Sequence, residues 1–153
     1  MSKTGFTLDN ALAIAVQAHT GQKDKGLKPY FLHPLRVMMA QTSITAMMVA
    51  CLHDSIEDSE GAVTIASLRA VGCPEEVLDA LDLLTFPKGL TDDQYLDRIK
   101  TIKLNPLARA VKLSDLDDNL NLKRIKGLGS HFPEKDMLRI KKYLLAVEIL
   151  EGA

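Results

Sequence analysis

The stretch Thr45-Ala46-Met47-Met48-Val49-Ala50-Cys51-Leu52-His53-Asp54-Ser55-Ile56-Glu57-Asp58-Ser59 decides the fold. From Ala46 to Leu52 it is wholly apolar. Such a segment is a buried helix or a buried strand, and its Ala and Met content favours the helix. It ends in His53, Asp54, Glu57 and Asp58. A core element that ends in so many titratable groups is costly unless they are solvated or engaged. If the helix continues, Asp54, Glu57 and Asp58 share one face at i, i+3, i+4 spacing. Three carboxylates on one face repel each other unless a cation or a substrate organises them.

Outward from this stretch the chain reads as helices. Thr7 to His19 has an apolar face of Leu8, Leu12, Ala15 and Val16, with Thr7 as N-cap. Gly21 to Pro29 is a Lys- and Gly-rich loop. Pro34 opens a second helix, which runs to about Gln41. Thr64 to Val71 is a short helix closed by Gly72. Pro74 to Leu84 follows, with Glu75 and Glu76 in its first turn, where the helix dipole favours them. Thr91 caps a helix to about Lys103, Asn105-Pro106 restarts the chain, and Leu107 to Ile125 forms a long helix. Pro133 to Leu150 closes the chain, with Leu138, Leu145, Val147 and Ile149 as core candidates. No alternating segment of convincing length is present. The fold class is all-α, with residues 1–153 forming one domain.

Composition narrows the function. The chain has 153 residues, a formal net charge of -1, 5% aromatics and no Trp. Charge balance argues against a dedicated DNA-binding or membrane-surface protein, and few aromatics argue against a base-stacking platform. A local basic pocket for a phosphorylated small molecule stays open. Cys51 and Cys73 read as reduced, partly buried thiols. No signal peptide or membrane span is evident, so a cytoplasmic protein is expected. The Met residues read as core filler, His19 as a packed residue and His131 as surface.

A second polar cluster follows the apolar run Leu107 to Leu113. Asp115 and Asn119 lie one turn apart on one face, and Asp115 points inward from a buried helix. His33 stands before Pro34. Two imidazoles and two carboxylates, His33, His53, Asp54 and Asp115, are thus available from three helices. Such a mixed nitrogen and oxygen set suits Mn²⁺, Fe²⁺ or Zn²⁺ better than Ca²⁺ or Mg²⁺.

These residues carry a resemblance. His19-Thr20-Gly21-Gln22, Lys25 and Pro29-Tyr30-Phe31-Leu32-His33-Pro34-Leu35 resemble the opening signature of the HD-domain hydrolases, the RelA/SpoT-related family of (p)ppGpp hydrolases. Cys51 to Ser59 resembles their His-Asp…Glu-Asp motif, and Val111-Lys112-Leu113-Ser114-Asp115…Asn119 their third motif. Order and spacing agree along nearly the whole chain. No segment matches the family's synthetase domain or regulatory tail. The chain therefore looks like a small alarmone hydrolase of the single-domain type, one that only degrades its nucleotide.

The resemblance implies a helical HD-domain bundle with one Mn²⁺, other divalent transition metals being compatible. It implies His33, His53, Asp54 and Asp115 as metal ligands. It implies Glu57 and Asp58 as the acidic pair that activates and places the attacking water. Asn119, Arg139 and Tyr143 match positions near the phosphates, and Lys25 matches a basic residue of the first loop. Lys112 is expected to flank the centre with Lys25 and Arg139. The reaction implied is loss of the 3′-pyrophosphate from guanosine 3′,5′-bis(diphosphate) or a related alarmone. The partner implied is a phosphorylated small-molecule nucleotide, with no DNA, RNA or membrane; homo-oligomerisation is left open. Two substrate-side positions depart from the family: Asp24 stands where it usually has Arg, and Asn121 where it commonly has Arg. The alternatives are another HD-type phosphohydrolase, acting on ppApp, NADPH or a nucleoside monophosphate, and a non-catalytic nucleotide-binding module.

Overall fold

The computed structural model describes residues 5–124 and 133–152, and among them the regular structure is helical. The helices are α1 (Leu8–Ala18), α2 (Leu32–Met39), α3 (Ile44–Leu52), α4 (Ser55–Asp58), α5 (Ile65–Ala70), α6 (Glu75–Leu84), α7 (Asp92–Lys103), α8 (Pro106–Asn119) and α9 (Glu134–Glu151). A 3-10 turn covers Leu122–Arg124. The one strand-like feature among the described residues is an isolated bridge between Lys23 and Pro29, which pinches the first loop. The all-α expectation is borne out.

The apolar stretch is the axis of the bundle. Helix α3 starts at Ser43, whose side chain accepts from the Ala46 N–H. It packs against α1, α2, α6 and α8. Val49, Ala50, Cys51 and Leu52 have no solvent exposure. A helix apolar on every side belongs in the middle of the core, and here four helices cover it. Both cysteines are free and buried. Among the described residues no helix is long and apolar enough to cross a membrane.

Several boundaries differ from the sequence reading, each for a local reason. Helix α2 begins at Leu32, so Pro34 is its third residue rather than its first. The first four N–H groups of a helix have no partner inside it, so Pro34 costs no hydrogen bond there. The earlier start puts His33 on the helix instead of in the loop. Helix α3 does not run on to Glu57: the chain bends at His53-Asp54, and α4 is a separate turn. The Asp58 N–H still reaches the Asp54 carbonyl at 3.0 Å, which keeps Asp54, Glu57 and Asp58 within one turn.

Helix α8 stops at Asn119 rather than near Ile125. The Asp118 carbonyl accepts from the Asn121 N–H at 3.2 Å and from the Arg124 guanidinium, which folds back onto it, at 3.0 Å, and together they cap the helix end. Ile125 and His131 lie outside the described residues. On α9, Leu138 and Leu145 are exposed, and the buried positions are Asp136, Ala146 and Leu150. The face of α9 toward the bundle carries Asp136, Arg139 and Tyr143 before it turns apolar, so Met137 and Leu138 between them fall outside. Met39 and Met137 are likewise exposed, not core filler.

Candidate metal centre and its cavity

Three helices deliver four ligand-type side chains to one point. His33 comes from α2, His53 caps α3, Asp54 follows it in the bend, and Asp115 comes from α8. Asp115 Oδ1 lies 2.9 Å from His33 Nε2 and 3.3 Å from His53 Nε2. Asp54 Oδ2 lies 3.1 Å from His53 Nε2 and 3.5 Å from His33 Nε2. His33 and His53 are each 3% exposed, so water does not satisfy their rings.

Yet neither Nε2 has a hydrogen-bond partner of acceptable geometry. Buried polar atoms are nearly always paired, so two orphaned nitrogens aimed at the same carboxylates need an explanation. A divalent cation supplies one. His33, His53 and Asp115 each offer a ligand atom, and these atoms lie within 4.8 Å of one another. Two imidazoles and a carboxylate, with Asp54 beside them, fit a divalent transition metal.

A second layer fixes these groups. Asp118 Oδ2 is 2.6 Å from His33 Nδ1, which turns the ring's other nitrogen inward. His53 Nδ1 is bonded to the Ala50 carbonyl, with the same effect. Tyr30 donates its hydroxyl to Asp54 Oδ2 at 2.6 Å. Asp115 accepts from Lys112 at 2.8 Å and from Asn119 at 2.9 Å. Asp118 is itself held by Arg36, whose Nε donates at 2.7 Å.

The electrostatics match a cation site filled by protons. Burial alone would lower both imidazoles, but the surrounding carboxylates outweigh it. They raise His33 to about 11 and His53 to about 10. Burial would raise Asp54 and Asp115; the imidazoles, and Lys112 beside Asp115, hold both well below the usual carboxylate range. Glu57 behaves in the opposite way. Partial burial and the charges of Asp54 and Asp58 raise its carboxyl, despite a hydrogen bond from the Phe86 N–H. Burial and the Asp54 charge also raise Asp58.

The ligand set forms the floor of a cavity of about 550 Å³. Its wall carries Lys23, Lys25, Lys112, Arg124, Arg139 and Lys142. Lys112 is almost buried and lies 5.0 Å from the centroid of the Phe86 ring. Glu57, Asn119 and Tyr143 also face the cavity, as do the departing positions Asp24 and Asn121. Asp58 is not part of this wall; its backbone carbonyl accepts from the Gln22 side chain at 2.8 Å. Asp24 accepts from the Lys28 N–H at 2.9 Å and faces Arg124 at 3.5 Å.

Sequence reasoning passed over Asp118, Tyr30, Arg124 and Asp136. Two of them left a spacing signal. Asp118 stands one turn beyond Asp115, and Tyr30 one turn before His33. Arg124 and Asp136 left none, because their partners come from distant segments.

The geometry has counterparts among known proteins. No family profile matches the chain. Over 126 residues, 76% of the chain, it is 28% identical to a GTP pyrophosphokinase from Streptomyces antibioticus. It is 26% identical over the same length to a GTP pyrophosphokinase from Streptomyces coelicolor. The chain spans about 15% of the length of these curated relatives. A solved structure of a metazoan ortholog of SpoT that hydrolyzes ppGpp superposes with a TM-score of 0.79. That match is 22% identical and covers 95% of this chain and 85% of the other. This chain shares that protein's fold. The helical-bundle fold that the motif resemblance implies is therefore borne out.

Proposed function

We propose that this chain is a metal-dependent nucleotide hydrolase that removes the 3′-pyrophosphate of guanosine 3′,5′-bis(diphosphate) or a closely related alarmone. The observation that carries the proposal is the pair of buried, unpartnered imidazole nitrogens of His33 and His53, facing Asp115 on the floor of a cation-lined cavity. The likeness to a ppGpp-hydrolysing protein supports the nucleotide class. Residues 1–153 act in this reading as one phosphohydrolase domain.

His33, His53, Asp54 and Asp115 would hold a single divalent ion, with Mn²⁺ as the first candidate. When bound, such an ion lowers the pKa of a coordinated water and polarises a phosphoryl oxygen. The remaining work falls to the chain. Glu57, raised above its ordinary value and steadied by the Phe86 N–H, accepts the proton of the attacking water. Asp58, one residue on, keeps Glu57 raised by its charge. Lys25 and Arg139 neutralise the departing diphosphate, Arg139 with a guanidinium suited to two-point contact. Tyr143 and Asn119 line the same wall, and Asn119 also holds Asp115.

The metal-loaded protein, incubated with ppGpp, is expected to release pyrophosphate and leave GDP. Release from ppApp alone, or of phosphate from NADPH or a nucleoside monophosphate, would move the substrate and keep the chemistry. One observation favours testing that second reading: position 24 offers a carboxylate, already held by Lys28 and Arg124, at the rim of the cavity. Metal binding without turnover of any nucleotide in such a panel would leave a binding module.

A further inference from the structure

Asp136 is the buried polar residue of α9, and it touches neither the ligand set nor the proposed base. It sits in the first turn of that helix, where the exposed N–H groups favour an anion. Its Oδ1 accepts two cations. Lys25 Nζ stands 3.0 Å away, from the first loop, and Arg139 Nη2 stands 3.0 Å away, one turn along α9. The Asp136 side chain is 10% exposed, whereas that of Lys25 is 53% exposed. Lys25 and Arg139 both face the cavity.

This asymmetry decides what the contact does. An ion pair between two exposed side chains holds neither in place. A carboxylate that water barely reaches must be satisfied by its partners, so both cations are drawn to it. Lys25 has a long, mobile side chain on a loop, and Asp136 gives it a fixed direction. Asp136 also joins two ends of the chain, since the first loop and the last helix meet at this one oxygen.

We propose that Asp136 is a positioning residue for an anionic phosphate ligand: it holds Lys25 and Arg139 side by side on the cavity wall before the ligand arrives. The inference rests on the reading that the cavity takes a phosphorylated ligand, and it deepens that reading by naming what organises the phosphate-facing cations. Ordering two long side chains in advance spares the ligand that cost, an effect of about tenfold in affinity.

The test is titration calorimetry of inorganic pyrophosphate into the metal-loaded protein, with metal affinity measured separately on the metal-free protein. Asp136→Asn keeps the shape and loses the charge. It is expected to weaken pyrophosphate about tenfold and to leave metal affinity within twofold. Asp136→Glu keeps the charge and is expected to recover most of the loss. Placed on a Lys25→Ala, Arg139→Ala background, Asp136→Asn is expected to change nothing further. With the nucleotide that is turned over, KM rises and kcat holds. Unchanged or tighter pyrophosphate binding would overturn the proposal, because Asp136 would then be idle or a competitor for the cations. A matching fall in metal affinity or in Tm would overturn it too, by making Asp136 a merely structural anchor. A wild-type protein that binds pyrophosphate through Asp136 yet hydrolyses no nucleotide leaves this inference standing and defeats the proposed function.

Discussion

His33 Nδ1 lies 2.6 Å from Asp118 Oδ2, and the opposite nitrogen of the same ring faces Asp115 at 2.9 Å. One carboxylate from α8 thus orients the imidazole while another, one turn earlier, shares the metal site with it. The His33 ring, with Arg36 and Arg124 beside it, lowers the Asp118 carboxyl to about 2. Burial alone would have raised it.

Replacing Asp118 with Ala frees the ring and removes the carboxylate that Arg36 and Arg124 face. Loss of such an outer partner typically costs roughly 10–100-fold in metal affinity. Calorimetric titration of Mn²⁺ into Asp118→Ala should show a loss in that range, with far-UV dichroism unchanged. An unaltered affinity would mean that Asp118 does not orient His33.

Removing a ligand is expected to be more severe. His53→Ala and Asp115→Ala should abolish both metal binding and hydrolysis. Their helices should persist, because the core of Val49, Ala50, Cys51 and Leu52 is untouched. Full activity in either variant would defeat the metal-site assignment.

Glu57→Gln separates the base from the ligands. The amide keeps its place beside the Phe86 N–H but cannot take a proton. A positioned base contributes about 10²–10⁴-fold, so kcat should fall by that order while metal affinity stays level. A kcat close to that of the wild type would assign the proton to another group.

The pH dependence follows from the raised imidazoles. His33 and His53 rise from an ordinary 6.5 to about 11 and about 10 in the metal-free protein. Their contribution to stability is fully present below 6.5 and is lost as pH climbs through 10 to 11. Asp54 and Asp115 work in the other direction, since their stabilisation fails as pH falls below the ordinary 3.8. The Tm of the chelator-treated protein should therefore decline from pH 7 to 10. Metal affinity should strengthen over the same range, because binding displaces those protons. A metal-free Tm that rose between pH 7 and 9 would contradict the charged imidazoles.

Much of this centre was legible in the sequence, and the reasons are local. An apolar run that ends in His53 and Asp54 can be read without a fold, and so can Asp115 after Leu113, because burial and spacing lie within one helix. The start of α2 was misjudged because proline is tolerated through the whole first turn, so Pro34 marks the neighbourhood of the boundary rather than the boundary itself. The end of α8 was invisible for another reason: part of its cap is the side chain of Arg124, folded back onto the Asp118 carbonyl that the Asn121 N–H also reaches. On α9, Leu138 and Leu145 carried an apolar signal, yet the face turned inward bears Asp136 and Arg139. One of the two partners of Asp136, Lys25, stands more than a hundred residues earlier, so no spacing within α9 could reveal it.

Gly26 offers a test of how tightly the first loop must lie. A Cβ at this position would stand 2.6 Å from the backbone carbonyl oxygen of Arg124. Backbone cannot swing aside as a side chain tip can, so Gly26→Ala must push the loop away from the 3-10 turn. The same displacement strains the contact between Asp24 and Arg124 and moves Lys25, one residue away. Overpacking of this kind costs about 1–3 kcal/mol, which a lowered Tm should register. Metal affinity should hold, because no ligand lies on the loop, whereas pyrophosphate affinity should fall along with the displaced Lys25. Equal losses in both would mean that the loop supports the metal centre itself.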